Sequence, residues 1–272
     1  MTILNESRLR FITPAFIAGA NQSEPEIRVP SIRGELRWWF RAVGGTLADE
    51  AKVFGGVHDG AAASAVVIRV SDMKIVNGKE ITAPQNTPRG YLYYFATVSG
   101  NAKGTRTAAG HYLNVGTTFK MTVLLRSSLE PHHAKLLNDA LGMFLCYGTL
   151  GLRSTRGCGA FTAEGELPFV DEKIGEKFTI GKISRESFDT GLKCQTCLGS
   201  FLQDFRRDLR LSGKEKTALG YSIGKERFSS ALKLRPVETA PGRFEPYIVY
   251  SDAASRERSI EDLVRNRLIV GS

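Results

Sequence analysis

Arg33, Arg37 and Arg41 follow one another at i, i+4 and i+8, so on a helix they form a stripe along one flank. Guanidinium groups in such a row are suited to gripping phosphate oxygens. They lie in Pro30-Ser31-Ile32-Arg33-Gly34-Glu35-Leu36-Arg37-Trp38-Trp39-Phe40-Arg41, where Ser31 after Pro30 is a good N-cap. A cation in the first turn opposes the helix dipole by roughly 0.3 to 1 kcal/mol, and a glycine inside a helix costs about 1 kcal/mol against alanine. A bound phosphate explains both choices. Backbone N–H groups from Ile32 onward and the Arg33 side chain hold the anion, and Gly34 leaves its approach open. The alternative is a solvated flank in which Gly34 packs against a neighbouring element, and the helix by itself leaves the two readings open.

A second cluster runs from Gly148 to Phe161 as Gly-Thr-Leu-Gly-Leu-Arg-Ser-Thr-Arg-Gly-Cys-Gly-Ala-Phe. It lacks the Gly-Lys-Ser/Thr ending of a nucleotide P-loop and the third glycine of a dinucleotide fingerprint. What remains is a loop of N–H donors and hydroxyls. Arg153, Ser154, Thr155, Arg156 and Gly157 are the parts of a phosphate nest, although glycines after a helix also serve as plain C-caps.

Proton-transfer chemistry has little to work with. His58 and His111 are the isolated candidates for a general base; His58 sits in a turn, Gly56-Val57-His58-Asp59-Gly60, and His132-His133 follows Pro131 at a helix start. No catalytic residue is assigned. Cys194-Gln195-Thr196-Cys197 has C-x-x-C spacing, but no second C-x-x-C or close C-x-x-H completes a zinc site. Neither a metal nor a cofactor is expected. The thiols Cys146, Cys158, Cys194 and Cys197 read as free, with Cys194 and Cys197 half-buried at a helix start.

The 272 residues carry a net charge of +9 and a pI near 9.5, which favours a polyanionic partner. No apolar run approaches membrane-spanning length and Met1 to Arg10 holds no signal-peptide core, so a cytoplasmic protein without membrane contact is expected.

The elements that must position these groups form a βαββαβ order over residues 1–168. The strands are Arg8 to Phe16, Ala65 to Val76, Tyr91 to Val98 continuing after an insertion in Phe119 to Arg126, and Ala160 to Leu167. The helices are Ile32 to Leu47, with Ile32, Leu36, Trp39, Val43 and Leu47 on its apolar face and Trp38 nearly opposite, and His132 to Tyr147. This is a ferredoxin-like or RRM-like α+β pattern, an antiparallel sheet backed by two helices. The insertion from Ser99 to Thr118 is basic and glycine-rich and reads as a mobile hairpin or loop. Residues 169–272 read as a second α+β region, a degenerate or partial ferredoxin-like module. It has a helix from Leu198 to Leu211, a basic strand ending at Pro236, a partner strand at Ile248 to Tyr250 and a final helix from Ile260 to Leu268.

Taken together, several segments resemble the RAMP superfamily of CRISPR proteins. These are Thr13-Pro14 before a Gly19-containing loop, Ser31 to Gly34 with Leu36 to Arg41, Phe54-Gly55-Gly56 followed by Ser64, and Gly151 to Gly159. The Ile-Arg-Gly-x-Leu-Arg-x-Trp helix looks most like the first-subunit family of the type III-B Cmr effector complex. Arg227 to Pro236 is similar to that family's Arg-x-Ser-Pro-Leu-x-Leu-Arg-Pro segment, with Ser230 where the pattern has proline. The resemblance implies a noncatalytic RNA-binding subunit, working beside other Cmr subunits, that holds the 3′ portion of the guide RNA together with target RNA. Arg33, Gly34, Arg37 and Arg41 match its helix, Arg153, Arg156 and Gly157 its loop, and Arg227 its C-terminal segment. A RAMP-type endoribonuclease that processes CRISPR transcripts is the enzyme alternative, and a structural protein that docks a partner through Trp38 is a third.

Overall fold

The computed structural model describes residues 1–21, 24–56, 63–78, 83–84, 87–94, 97–99, 105–108, 112–164, 178–209, 219–220, 222–223, 226–227, 229–251 and 261–269. In chain order the main elements of the first part are β1 Thr2–Phe11, α1 Val29–Ala42, α2 Leu47–Phe54, β2 Val66–Lys74, α3 Pro88–Leu92, β3 Thr118–Leu125, α4 Pro131–Tyr147 and β4 Phe161–Glu164. The second part adds β5 Thr179–Lys182, α5 Gly191–Leu209, β6 Leu232–Ala240, β7 Arg243–Tyr250 and α6 Glu261–Arg265.

The first sheet has the order β2-β3-β1-β4, with every neighbouring pair antiparallel. Alternation sets its faces. Ser7, Leu9 and Phe11 of β1 and Phe119, Met121 and Val123 of β3 are buried, while Arg8, Arg10 and Lys120 between them are half-exposed. The buried face packs with α1 and α4, and Ile32, Leu36, Trp39 and Phe40 of α1 join Leu137, Leu141 and Phe144 of α4 in one apolar core. The second sheet has the order β5-β7-β6 and carries α5. Its core includes Leu198, Leu202 and Phe205 of α5 with Leu232 and Leu234 of β6, and it takes in Ile12, Phe16 and Cys158 from the first part. The expected pairing of the basic strand with Ile248 to Tyr250 is present, as Leu232↔Tyr250 and Leu234↔Ile248.

Several expected boundaries move. β1 starts at Thr2 and leaves the sheet at Phe11; Pro14 lacks an N–H, and Ala15 instead bridges Leu113. α1 begins at Val29, with Pro30 in its first turn and no side-chain cap, so Ser31 lies inside the helix and Arg33 and Gly34 lie beyond its first turn. It ends at Ala42, and the chain turns through Gly44 at φ +107° and Gly45. A new helix then starts at Leu47 under a capping box in which the Thr46 hydroxyl accepts from the Asp49 N–H and the Asp49 carboxylate accepts from the Thr46 N–H. Leu47 is consequently 74% exposed rather than part of the apolar face of α1.

Where a strand from Tyr91 was expected, α3 forms, because Pro88 sits at its start and the Thr87 hydroxyl caps the Gly90 N–H. Among the described residues of that span, Thr97 and Val98 lie in a strand, Thr97–Ser99, which pairs with Thr105–Ala108 of the insertion. α5 starts at Gly191, seven residues ahead of the expected Leu198, which places both Cys194 and Cys197 inside the helix. His58, His111 and residues 165–167 lie outside the described residues.

Candidate nucleic-acid interface

The arginine stripe sits at the surface where α1, α2 and β2 meet. Arg37 donates from Nε to Glu50 Oε1 at 2.5 Å, and Arg41 Nη1 donates to Glu50 Oε2. Glu50, on α2, is only 2% exposed, so two guanidinium groups offset the desolvation of one carboxylate. The side chains of Arg37 and Arg41 keep 42% and 41% of their surface, leaving charge and donors for a ligand. Arg33 is half-buried and donates to the Val66 carbonyl at 3.2 Å and, at the limit of hydrogen-bond length, to the Phe54 carbonyl at 3.5 Å. Burial pushes its guanidinium down, and the neighbouring charges of Arg37 and Arg126 act in the same direction. Arg126 therefore belongs to this basic surface.

Gly34 is exposed, and a Cβ built on it meets nothing within 4 Å. The expected alternative, that it packs against a neighbour, does not hold among the described residues. A helix-interior glycine with open space above it leaves the backbone bare beside Arg33 and Arg37. Ile32 is fully buried and serves the core. Trp38, expected nearly opposite the buried face, is half-buried against the core, and its ring carries the ammonium of Lys233.

α2 also ties this corner to α4. His133 is buried with Nε2 at 3.1 Å from Asp49 Oδ1, and the Thr46 hydroxyl and N–H hold the Asp49 carboxyl down at about 2. The neighbours Asp49 and Glu50 thus clamp α2 between α4 and α1. The sequence held a signal for this clamp, since Thr46-x-x-Asp49 is a capping box opening a new helix and placing Glu50 in its first turn.

In the Gly148–Phe161 loop the backbone donors are turned inward. The N–H of Arg156 donates to the Arg153 carbonyl, Gly157 to Ser154, Gly159 to Pro14, and Leu152 to Phe16. The Leu234 N–H donates to the Thr155 carbonyl, and the Ser154 carbonyl accepts from Arg235 Nη1 at 2.9 Å. A Cβ on Gly157, where φ is +73°, would lie 3.0 Å from Pro236 Cδ, and one on Gly159 would lie 1.9 Å from the Leu150 carbonyl oxygen. Close packing and left-handed turns account for these two glycines, and the loop is the joint that pins β6 to the first part.

Its arginines point into this joint. Arg153 donates to the Leu92 and Tyr91 carbonyls at 2.7 and 3.2 Å. Arg156 is 4% exposed and donates to the Leu219 carbonyl; burial first, then the charges of Arg206 and Arg153, push its guanidinium down to about 9. The structure therefore does not bring the loop arginines to the α1 stripe. Arg227 lies in the short strand Glu226–Arg227, paired with Ser222–Ile223, and its side chain is outside the described residues.

On β6, Lys233 and Arg235 project inward. Burial, then Arg235, lowers the Lys233 ammonium to about 7, and burial lowers Arg235 to about 10. Buried atoms Glu35 Oε2 and Arg235 Nη2 have no hydrogen-bond partner among the described residues. The four cysteines are free, and no group of three or more metal-ligating side chains occurs among the described residues. No described helix is long and apolar enough to cross a membrane.

Residues 8–162, from the first strand through the glycine-rich loop, match the RAMP superfamily model over more than half the chain, and the chain belongs to the RAMP superfamily. Within that superfamily it is Cmr1-like. It is 34% identical over 160 residues to CRISPR system Cmr subunit Cmr1-1 of Pyrococcus furiosus, a match covering 56% of this chain and 44% of that relative. The aligned region thus spans less than half the length of Cmr1-1. The match to Cmr1-2 of the same organism is 26% identical over 179 residues, covering 57% of this chain and 92% of that relative.

The fold is shared with the crystal structure of Pyrococcus furiosus Cmr1 in its apo form, at a TM-score of 0.56 and 20% identity over 96% of this chain and 93% of that one. It is also shared with a chain of a type III-B Cmr-β assembly, determined by cryo-EM bound to cognate target RNA and AMPPnP. There the TM-score is 0.58 and the identity 11%, over 98% of each chain.

Proposed function

We propose that this chain is a noncatalytic RNA-binding subunit of a type III-B CRISPR RNA-guided effector complex, which holds the 3′ portion of the guide RNA and target RNA through phosphate contacts. The observation that carries this reading is the surface array of Arg33, Arg37 and Arg41 beside an unobstructed Gly34. Arginine-to-phosphate contacts position RNA without reading its sequence, which suits a subunit whose specificity comes from base pairing in the guide. The name of the Cmr1 relatives and the target-RNA-bound assembly that shares this fold support the same reading. Its partners are then guide RNA, target RNA and other Cmr subunits, in the cytoplasm, with no cofactor.

The strand order β2-β3-β1-β4 with α1 and α4 on one face supports a ferredoxin-like first module over residues 1–168. Residues 169–272 are a partial second module, built on β5-β7-β6 and α5. Arg153, Ser154, Thr155, Arg156, Gly157 and Arg227 stay in the proposal as residues of the RNA-binding protein, with the loop acting by fixing how the two parts meet.

Two measurements test the proposal. Single-stranded RNA of unrelated sequences should bind with similar affinity that falls steeply with salt; binding unchanged between low and high ionic strength would remove the electrostatic basis. Incubation with repeat RNA should give no specific product, and His58→Ala or His111→Ala should change nothing. Reproducible cleavage at one site, lost in either histidine variant, would establish the processing endoribonuclease instead.

A further inference from the structure

We infer that Arg156 and Arg206, with Arg153 beside them, bind a phosphate-type oxyanion where the glycine-rich loop, α5 and the Leu219–Gly220 segment meet. This site is separate from the α1 stripe, and Arg206 is a residue that no motif singled out.

Three guanidinium groups from two distant parts of the chain converge here. Arg156 Nη2 and Arg206 Nη2 both donate to the single carbonyl oxygen of Leu219, each at 2.5 Å, and Arg206 Nη2 also reaches the Gly220 carbonyl at 2.9 Å. Tyr91 joins the other side, its hydroxyl accepting from Arg206 Nη1 at 2.5 Å and its carbonyl from Arg153 Nη2 at 3.2 Å. Like charges are thus drawn together around carbonyl dipoles. At α1 the corresponding charge is met by a carboxylate, Glu50; here neither Arg156 nor Arg206 forms an ion pair among the described residues.

The donors are also incompletely used. Arg156 Nη1 and Arg206 Nε are both buried and have no hydrogen-bond partner among the described residues, and Arg156 as a whole is 4% exposed. A buried N–H of a charged group left unmade is costly, and gathering cations in a low dielectric adds to that cost. An anion offsets both. The two unused donors belong to guanidinium groups that share the Leu219 carbonyl, and the guanidinium fork matches phosphate geometry. The same chemistry is offered by inorganic phosphate and by a backbone phosphate of RNA.

The test is the melting temperature of the whole chain in inorganic phosphate against chloride, at equal pH and ionic strength. At about a hundredfold excess over Kd, phosphate should raise Tm by about 5 °C. Arg206→Gln should lose that phosphate-specific shift, and Arg207→Gln, on the exposed neighbour that pairs with Asp204, should keep it. No phosphate-specific shift in the unmodified protein, or an undiminished shift in Arg206→Gln, overturns the site.

An RNA-binding arm distinguishes the sources. If the ligand is an RNA phosphate, Arg206→Gln weakens RNA binding about tenfold and phosphate competes; if it is the free anion, Arg206→Gln leaves RNA binding unchanged and still loses the phosphate-specific Tm shift that the unmodified protein shows. Because the Tm arm contains no RNA, its outcome is independent of whether the α1 stripe binds RNA.

Discussion

The Nζ of Lys233 lies 3.5 Å from the centroid of the Trp38 ring, which joins the first helix of the chain to a strand almost two hundred residues later. The contact accounts for a tryptophan on the flank of α1 facing away from its most buried side chains, and for a lysine that is 4% exposed. The ring face stabilises the cation, and burial opposes it.

Lys233→Met therefore changes the pH dependence of stability. The folded-state ammonium titrates at about 7 and an unfolded lysine near 10.4, so between those values the unfolded chain binds more protons and stability rises with pH. Below about pH 7 both states carry the charge and the full burial cost applies. Burial also raises the thiols of Cys158 and Cys194, which subtracts stability above about pH 8.5 in both proteins, so the difference between variant and parent is the quantity to measure. The advantage of Lys233→Met in urea midpoint should be largest near pH 6 and shrink toward about pH 10; a flat difference would show an ordinary lysine.

Arg37→Gln and Arg33→Gln should each weaken RNA binding by about tenfold, equally for unrelated sequences, and lower the salt slope by about 0.7 for each lost phosphate contact. Both variants should fold, since Glu50 retains Arg41 and, among the described residues, Arg33 bonds carbonyls alone. Affinity loss for one sequence alone would point to base readout.

Gly34→Ala separates folding from binding. With nothing within 4 Å of the new Cβ, the substitution should stabilise the helix by about 0.5–1 kcal/mol and raise Tm. RNA affinity should fall under the proposed function, in which the methyl group would occupy the surface offered to the phosphate backbone. A more stable variant with unchanged affinity would leave Gly34 without a ligand role.

Gly157→Val should destabilise the protein by about 1–3 kcal/mol, measured by urea unfolding, since φ is +73° and Pro236 Cδ stands 3.0 Å from the new Cβ. The loss should appear as an earlier melting of the joint between the loop and β6. Unaltered stability would mean that the loop can relax away from Pro236.

The four strands of the first sheet and the helices α1 and α4 were legible in the chain, whereas α2 and α3 were not, because alternation in β1 and β3 and the 3.6-residue spacing of Ile32, Leu36 and Trp39 are local properties that burial on one face imposes. The arginine stripe was legible for the same reason. Local signals also misled. Ser31 reads as a cap, but Pro30 fits inside the first turn, and the apolar period continues to Leu47 although Gly44 and Gly45 end the helix before it.

Which arginines face solvent and which face the protein was decided only by the tertiary structure. Arg37 and Arg153 look alike in sequence. One meets Glu50 at the surface while the other is drawn to the carbonyls of Tyr91 and Leu92, because partners for a charge come from elements far away along the chain. The same holds for Lys233 against Trp38 and for Arg206 beside Arg156. Residue type and spacing determine what a segment can offer, and packing between distant segments determines what is left to offer a ligand.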